Sequence, residues 1–379
     1  MEIVLSETEV KEGQLPVNKI ICGDALKVLR KFPSDSVDCI ITSPPYYGQR
    51  SYLPKDSELK KFEIGLEEHP NIYIEKIVTI VEECMRILKK EGNMFLNIGD
   101  TWATATRPGG YDRLNQQKNI TIDEGHRTEI RAKLNKSGEN WLKEKQKLFL
   151  PYRIAIELQD RGYIVREDII WVKKLAKYPE KETIGACMPF PVIDKFVPAH
   201  EVILHIVKSK KVKSFIDRIR CKLKDSTLER AKYPVSSTYK IQSDRNPYFS
   251  QRKGMDSYFK KLDELGKVVE GDNWNVVIES KLEGANPTSC IMFKREHHTL
   301  AESHFAKFPL SLPQLFIEGY TDKNDIVLDP FIGSGTTGMV AKMLNRNFIG
   351  IEINLEYCKI AEARIKPYLE QKTLSEILD

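Results

Sequence analysis

The sequence predicts an α/β fold built on a mostly parallel β-sheet, and two observations support this prediction. Short apolar stretches of strand length alternate with stretches in which apolar residues recur at helical spacing. This alternation is typical of strands joined by crossover helices, which produce parallel pairing. A glycine-rich turn near residue 333 also follows a predicted strand and opens a predicted helix, as at the ligand-binding edge of such sheets.

The predicted elements fall into two groups along the chain. Before residue 208 the strands are Lys19–Cys22, Val37–Ile41, Asn93–Ile98, Ile164–Val172 and Glu201–Val207, and the helices are Asp24–Phe32, Ile72–Lys90 and Pro151–Arg161. Gly92 is expected to turn the chain between a helix and a strand. After residue 298 the helices are Leu310–Gly319, Thr336–Leu344 and Leu355–Tyr368, and the strands are Ile326–Leu328 and Phe348–Ile351.

Two polar stretches, residues 101–150 and 208–298, interrupt this alternation. Residues 208–270 hold 17 Lys and Arg against 8 Asp and Glu, whereas the rest of the chain carries a net charge of −4. A basic block suggests a polyanionic partner, although a solvated lysine-rich surface gives the same count. The expected organisation is therefore 1–207, with a basic insertion at 101–150, then 208–298 as an inserted recognition region, then 299–379.

Several classes of protein are disfavoured. No run of 18 apolar residues occurs, so a membrane span is not expected. The acidic N-terminus lacks the features of a signal peptide, which makes the cytoplasm the expected compartment. The seven cysteines include no CxxC pair, so neither a zinc site nor a disulfide framework is expected.

The first candidate site is the segment Asp329-Pro-Phe-Ile-Gly-Ser-Gly-Thr-Thr. Glycines at such a turn let a ligand approach the backbone, and the helix N-terminus presents free N–H groups. Glu352 ends the next strand, where a carboxylate can accept hydrogen bonds from ribose hydroxyls. The alternative is a tight turn in an α/β domain that binds no ligand, because such a turn could have the same loop sequence.

The second candidate site is Ser43-Pro44-Pro45-Tyr46, at the end of a strand. Two prolines make the turn rigid and leave carbonyl groups free to face a ligand. Ser43 Oγ and the Pro44 carbonyl could accept the protons of an amino group on a flat ring, which Tyr46 could stack against. A purely structural proline turn is the alternative for this motif taken by itself.

Together the two motifs resemble the amino-methylating DNA methyltransferases. Their order along the chain matches the β group of that family, in which the catalytic half precedes the cofactor half. Three further segments are similar to the family: Cys22-Gly-Asp24, Arg166–Lys173 and His304–Pro309. The resemblance covers residues 18–207 and 300–366, and residues 208–298 match no family motif.

The resemblance implies a Rossmann-like fold with a mostly parallel seven-stranded sheet, an antiparallel edge strand and a circularly permuted motif order. It implies S-adenosylmethionine as cofactor, without a metal. The implied catalytic residues are Ser43, Pro44, Pro45 and Tyr46. The implied cofactor-binding residues are Asp24, His304, Phe305, Asp329, Pro330, Phe331, Gly333, Ser334, Gly335, Thr336 and Glu352. The implied target-base pocket consists of Tyr46, Tyr47, Trp171 and Lys173.

The implied substrate is a base in double-stranded DNA, flipped out of the helix. Ser-Pro-Pro-Tyr goes mostly with the N4 amino group of cytosine in this family, whereas Asp- or Asn-Pro-Pro-Tyr goes mostly with adenine N6. Methylation of a ring carbon of cytosine is disfavoured because the chain has no Pro-Cys pair to supply a thiolate. The alternatives left open are an adenine-N6 enzyme, a non-catalytic DNA-binding subunit and an RNA substrate. A restriction endonuclease acting separately is the partner that the resemblance implies.

Overall fold

The computed structural model describes residues 3–54, 56–103, 142–143, 145–185, 194–222, 285–293 and 309–369. The chain divides into two compact units, residues 1–215 with 289–379, and residues 216–288. His304, Phe305 and most of both predicted insertions lie outside the described residues. Within the described ranges, no helix is long and apolar enough to cross a membrane.

The first unit is built on one large β-sheet. The strands of the described residues are β1 (Val4–Ser6), β2 (Lys19–Cys22), β3 (Val37–Thr42), β4 (Leu88–Ile98), β5 (Ile164–Val172), β6 (Lys174–Lys177), β7 (Glu182–Gly185), β8 (His200–Val207), β9 (Cys290–Ile291), β10 (Ile326–Asp329) and β11 (Asn347–Glu352). Nine of them form one sheet in the order β1-β2-β11-β10-β3-β4-β8-β5-β9, and β6 pairs with β7 as a separate hairpin.

The predicted mostly parallel α/β fold is confirmed, with two corrections to the sheet. Two short edge strands, β1 and β9, extend the expected seven strands to nine among the described residues. The antiparallel strand is β8, and it lies inside the sheet between β4 and β5 instead of at an edge. Its last six residues are all buried, as expected for a strand that is covered on both faces.

Helices cover both faces of the sheet. They are α1 (Ala25–Lys31), α2 (Pro70–Ile87), α3 (Leu150–Asp160), α4 (Ser311–Tyr320), α5 (Thr336–Met343) and α6 (Leu355–Leu369). The first three pack in one hydrophobic cluster and the last three in another. Successive strand residues alternate between the two clusters, as Ile40 and Ile41 do, because side chains of a strand point to opposite faces.

The predicted turn at Gly92 is wrong, because β4 runs through this residue without interruption. A Cβ atom at Gly92 would lie 2.8 Å from the backbone oxygen of Asp38. The pairing of β3 with β4 also shifts register between Val37 and Cys39. This glycine therefore permits a close approach of two strands at an irregularity, which is a second common role of strand glycines.

The order of the strands creates a topological switch point at β3 and β10, which pair in parallel. The chain leaves β3 toward α2 on one face and leaves β10 toward α5 on the other. Ligands of open α/β sheets bind at the carboxyl ends of strands at such a point. Both candidate motifs follow these two strands directly, so the fold brings them together.

Candidate active site

A cavity of about 360 Å³ lies at the carboxyl ends of β3, β10 and β11. Its volume is in the range of small-molecule sites. Of the site residues expected from the sequence, the following line it: Asp24, Ser43, Pro44, Pro45, Tyr46, Trp171, Lys173, Asp329, Pro330, Phe331, Gly333, Ser334, Thr336 and Glu352. The catalytic loop and the glycine-rich loop thus face one shared space.

A hydrogen-bond network fixes the end of the catalytic loop. Ser43 Oγ donates to Tyr46 Oη at 3.1 Å, and Tyr46 Oη donates to Glu201 Oε2 at 2.7 Å. Asn97 Nδ2 donates to both Tyr46 Oη (2.8 Å) and Glu201 Oε2 (2.9 Å). Because the hydroxyl proton of Ser43 is directed to Tyr46 and Asn97 Nδ2 approaches Ser43 Oγ at 3.5 Å, one lone pair of Ser43 Oγ remains to accept a proton from a ligand.

Glu201 is the anchor of this network. Its second carboxylate oxygen pairs with Lys173 Nζ, which also lies 4.6 Å from the centre of the Trp171 ring. Burial, together with the charge of Glu201, raises the pKa of Tyr46 well above its usual value. Tyr46 therefore keeps its proton and acts as a hydrogen-bond donor to the carboxylate.

The two tyrosines of the loop take different directions. A Cβ atom at Gly99 would lie 2.5 Å from the Tyr46 ring, so this ring rests on the backbone of residue 99 while it lines the cavity. Tyr47 is 1% exposed and packs against the Tyr73 ring, with ring centres 5.4 Å apart. The expected place of Tyr47 in the base pocket is therefore wrong, because the loop turns its ring into the hydrophobic core.

The glycines of the second loop serve different purposes. A Cβ atom at Gly333 would meet nothing closer than a carbonyl oxygen at 3.9 Å, and this residue lines the cavity. A Cβ atom at Gly335 would lie 2.9 Å from the Cα atom of Ala361, and Gly335 is absent from the cavity wall. Gly333 thus leaves space for a ligand, whereas Gly335 lets α6 approach the loop.

Glu352 turns its carboxylate back toward the glycine-rich loop. Its Oε2 accepts from Gly333 N at 3.1 Å, and its Oε1 accepts from Asn354 N at 2.8 Å. Burial raises the pKa of Glu352 to about 7, and these backbone donors oppose the rise. A buried carboxylate with this pKa gains from further donors, which a ligand with hydroxyl groups would supply.

Asp329 connects the two loops. Its Oδ1 accepts from Thr42 Oγ1 at 2.7 Å and from Phe331 N at 3.0 Å, and its Oδ2 accepts from Thr337 Oγ1 at 2.7 Å. Thr42 is the last residue of β3, immediately before Ser43. Asp329, which was expected to contact a cofactor, therefore links the end of β3, the glycine-rich turn and the start of α5 through its carboxylate.

Comparison with known proteins identifies the family. A family model described as DNA methylase, covering enzymes that act at N6 and N4, matches residues 37–363. The chain belongs to this family. The match includes both cavity loops, and the resemblance seen in the sequence is thereby confirmed.

Relatives are similar over nearly the whole length of the methylase. It is 30% identical to the type II methyltransferase M.SmaI of Serratia marcescens, over 94% of each chain. It is 30% identical to M.Cfr9I of Citrobacter freundii, over 91% of this chain and 86% of the relative. A PvuII DNA methyltransferase, described as cytosine-N4-specific, shares the fold with a TM-score of 0.52 and 18% identity, over 95% of this chain and 89% of that one.

Three residues of the methylase site were missed by the sequence analysis. Asn97 and Glu201 line the cavity and complete the Ser43–Tyr46 network. A polar residue near the end of the buried half of β4 was the available signal for Asn97. Gly338 follows Gly335 by three residues and gives the full G-x-G-x-x-G spacing; its Cβ atom would meet Ile365 at 2.8 Å and Phe348 at 2.9 Å. This spacing also occurs in nucleotide-binding folds, so the loop alone does not select the ligand.

Three other residues that were expected to bind the cofactor line the cavity and also make hydrogen bonds within the protein: Asp24, Ser334 and Thr336. Asp24 caps α1, because its Oδ1 accepts from Lys27 N at 3.0 Å. Arg364 donates to Ser334 Oγ at 2.8 Å and to Thr336 Oγ1 at 3.1 Å. Among the residues that the structure describes, no group of three or more His, Cys, Asp or Glu side chains could hold a metal ion.

We expect Gly335→Ala to destabilise the methylase by about 2–4 kcal/mol, because it combines a left-handed backbone with overpacking. The φ angle is +86° at Gly335, and the obstacle is the backbone of α6. Gly333→Ala is the matched control: its φ angle is +50° and its Cβ atom meets open space, so it should cost only about 1 kcal/mol. Urea unfolding without ligand measures both. Equal losses would contradict the assigned division of roles.

Proposed function

We propose that the methylase transfers a methyl group from S-adenosylmethionine to the N4 amino group of cytosine in double-stranded DNA. The observation that carries the proposal is the Ser43 hydroxyl, oriented by Tyr46 so that a lone pair can accept a proton from a ligand, in the same cavity as the glycine-rich loop. We further propose that it is the modification enzyme of a restriction–modification system, as the type II names of its relatives suggest. The partner would be a restriction endonuclease that acts separately.

The residues present fit S-adenosylmethionine. Gly333 leaves open space at the loop, and Glu352 offers a buried carboxylate to ribose hydroxyls. Aromatic rings of Phe331, Tyr52 and Tyr357 line the same part of the wall and suit a purine. The sulfonium group supplies an activated methyl, so the protein has to align it and prepare the acceptor nitrogen.

The catalytic loop would prepare that nitrogen. The amino group of cytosine is a poor nucleophile because its lone pair is delocalised into the ring. Donation of its protons to Ser43 Oγ and to the Pro44 carbonyl favours a pyramidal nitrogen with an available lone pair. Asn97 Oδ1, buried and without a hydrogen-bond donor among the described residues, is a third acceptor that an amino group could satisfy. The network from Ser43 through Tyr46 to Glu201 provides a route along which the released proton could pass.

The target base would have to leave the duplex to reach this loop. Tyr46 would stack on the flipped base, with Trp171 and Lys173 on the same wall. His304 and Phe305 remain proposed cofactor contacts outside the described residues. Residues 208–298 remain the proposed recognition region.

Cytosine N4 is preferred to adenine N6 because the loop begins with Ser. The relatives include both kinds: a PvuII methyltransferase described as cytosine-N4-specific, and the DNA adenine methyltransferase YhdJ of Escherichia coli, which is 26% identical. A non-catalytic DNA-binding role is disfavoured because such a protein would not need the Ser43 network or the open position at Gly333.

Nucleoside mass spectrometry tests the proposal directly. Unmethylated DNA is incubated with the methylase and S-adenosylmethionine, digested and compared with a reaction without enzyme. We expect N4-methylcytosine. N6-methyladenine in place of N4-methylcytosine would show that the target is adenine. Methylation of RNA in a parallel reaction, with the DNA unmodified, would reject DNA as the substrate.

The affinity for S-adenosylmethionine should depend on pH through Glu352. The ionised carboxylate is the form that accepts from ribose, and the pKa in the free protein is about 7. Below that pH the proton must leave on binding, so affinity should fall about tenfold per pH unit and level off above it. Calorimetry from about pH 5 to about pH 8, a range that spans the raised pKa, measures the effect.

Glu352→Gln should remove this dependence and weaken binding by about 1.5–3 kcal/mol. Any pH dependence of the affinity that persists in this variant would come from groups other than Glu352, such as those of the ligand. Glu356→Gln, on the exposed start of α6, should behave as wild type. A wild-type affinity that stays constant across the range would contradict the role of Glu352.

A further inference from the structure

The segment that enters β8 continues the wall of the cavity. Lys173 N donates to Ala199 O at 2.7 Å, and Lys174 N approaches the same oxygen at 3.3 Å. Lys173 and Glu201 both line the cavity. Residues 194–199 are therefore joined to the part of the site that holds Trp171, Lys173 and the catalytic network.

Three lysines gather beside this segment. Lys195 Nζ lies 3.6 Å from the centre of the Trp102 ring, and Lys147 Nζ lies 5.7 Å from the same centre. Burial lowers the pKa of Lys195, and the nearby charges of Lys145 and Lys147 lower it further. Asp194 pairs with Lys145 at 2.5 Å and Asp100 with Lys147 at 3.6 Å, so this cluster of described residues holds three lysines and two aspartates.

A large apolar residue directly follows Lys195 in the chain. Phe196 is 97% exposed, and Val197 beside it is 45% exposed. A phenyl ring gains free energy when it leaves water, so this ring is suited to a partner that covers it. Positive charge beside an unpaired aromatic ring matches the chemistry of nucleic acids, whose phosphates attract lysine and whose bases offer flat apolar faces.

We infer that Lys145, Lys147, Lys195 and Phe196 form a docking surface for duplex DNA beside the target base, which we name the lysine rim. The lysines contact phosphates, and Phe196 packs against the base stack that opens when the target base is flipped. The lysine rim belongs to the first unit, and its residues lie outside the basic block 208–270 in the sequence. The inference rests on the proposed action on DNA.

The test is binding of a fluorescein-labelled duplex of arbitrary sequence, about 30 base pairs long, by the full-length protein at several salt concentrations. In the triple variant Lys145→Gln, Lys147→Gln, Lys195→Gln, affinity at moderate salt should fall more than about tenfold, and the salt slope should flatten by about 2.7, or 0.9 per phosphate contact. The matching Lys→Arg triple variant should bind as wild type, which separates lost charge from altered folding.

The control for charge removes the same three charges elsewhere. Lys11, Lys90 and Lys323 are exposed and lie toward the strand ends opposite the cavity: in the segment before β2, at the start of β4 and before β10. Their Lys→Gln triple variant should keep wild-type affinity and salt slope. Equal weakening by both triple variants would show that net charge alone attracts DNA and would overturn the lysine rim.

Phe196→Ala should weaken binding at least about fivefold without altering the salt slope, because the ring carries no charge. Met343→Ala, an exposed apolar residue at the far end of α5, is its control and should change nothing. Wild-type DNA affinity in both the Gln triple variant and Phe196→Ala would overturn the inference. If the wild-type protein still methylates DNA, the proposed function would stand. Conversely, wild-type protein that binds DNA but transfers no methyl group would reject the proposed function. The DNA affinities of the variants could still be compared and would still test the lysine rim.

Discussion

Ser43→Ala should lower the rate of methyl transfer by roughly 10²–10³, the usual loss for one preorganised hydrogen bond in a transition state. The structure explains why the oxygen, rather than the proton, of Ser43 matters: the proton is directed to Tyr46 Oη. Alanine removes the acceptor and leaves the Tyr46–Glu201 bond in place. Affinity for S-adenosylmethionine should survive, because Ser43 is not among the proposed cofactor contacts.

Single-turnover methylation at saturating DNA and cofactor separates this step from binding. Ser36→Ala is the matched control. Ser36 precedes β3, whereas Ser43 follows it, and Ser36 Oγ donates to Pro33 O at 2.7 Å, far along the strand from the cavity. A rate near that of wild type for Ser43→Ala would show that Ser-Pro-Pro-Tyr is only a rigid turn.

The parts of the site that sequence could predict are those that follow parallel strands. Ser43 and Gly333 each come directly after a predicted strand, and parallel strands place their carboxyl ends at one edge. Local sequence is enough for such residues because the strand and its loop are contiguous. The strands could be predicted for the same reason, since a run such as Val37–Ile41 is mostly apolar.

Glu201 could not be predicted in this way. It lies at the start of β8, and only the antiparallel direction of that strand brings its first residues to the cavity edge. The direction depends on pairing with β4 and β5, which is a long-range property. The prediction for Tyr47 was wrong for a related reason. The direction of its ring depends on packing against Tyr73 of α2, which is distant in the sequence.

Asp329→Ala should destabilise the methylase by about 3–5 kcal/mol, since it leaves two threonine hydroxyls and one backbone N–H without a buried acceptor. It should also lower activity, because Thr42 would no longer fix the start of the catalytic loop. Asp325→Ala is the control near the other end of β10. It removes an ion pair with Lys213 and the acceptor of one backbone N–H at a partly exposed site, and should cost less, about 1–2 kcal/mol. Urea unfolding measures both, and equal small losses would show that Asp329 does not join the loops.

The pH dependence of stability tests the same carboxyl group with a variant that keeps its shape. Burial raises the pKa of Asp329 to about 6, whereas the unfolded chain has the ordinary value of 3.8. Between these values the folded protein binds more protons than the unfolded chain, so this group makes stability fall as pH rises through that window. Asp329→Asn can still accept hydrogen bonds but does not titrate, so the difference in free energy of unfolding between wild type and this variant should change across that window and be constant above it. A difference independent of pH would mean that Asp329 is ionised throughout, with its three donors outweighing burial.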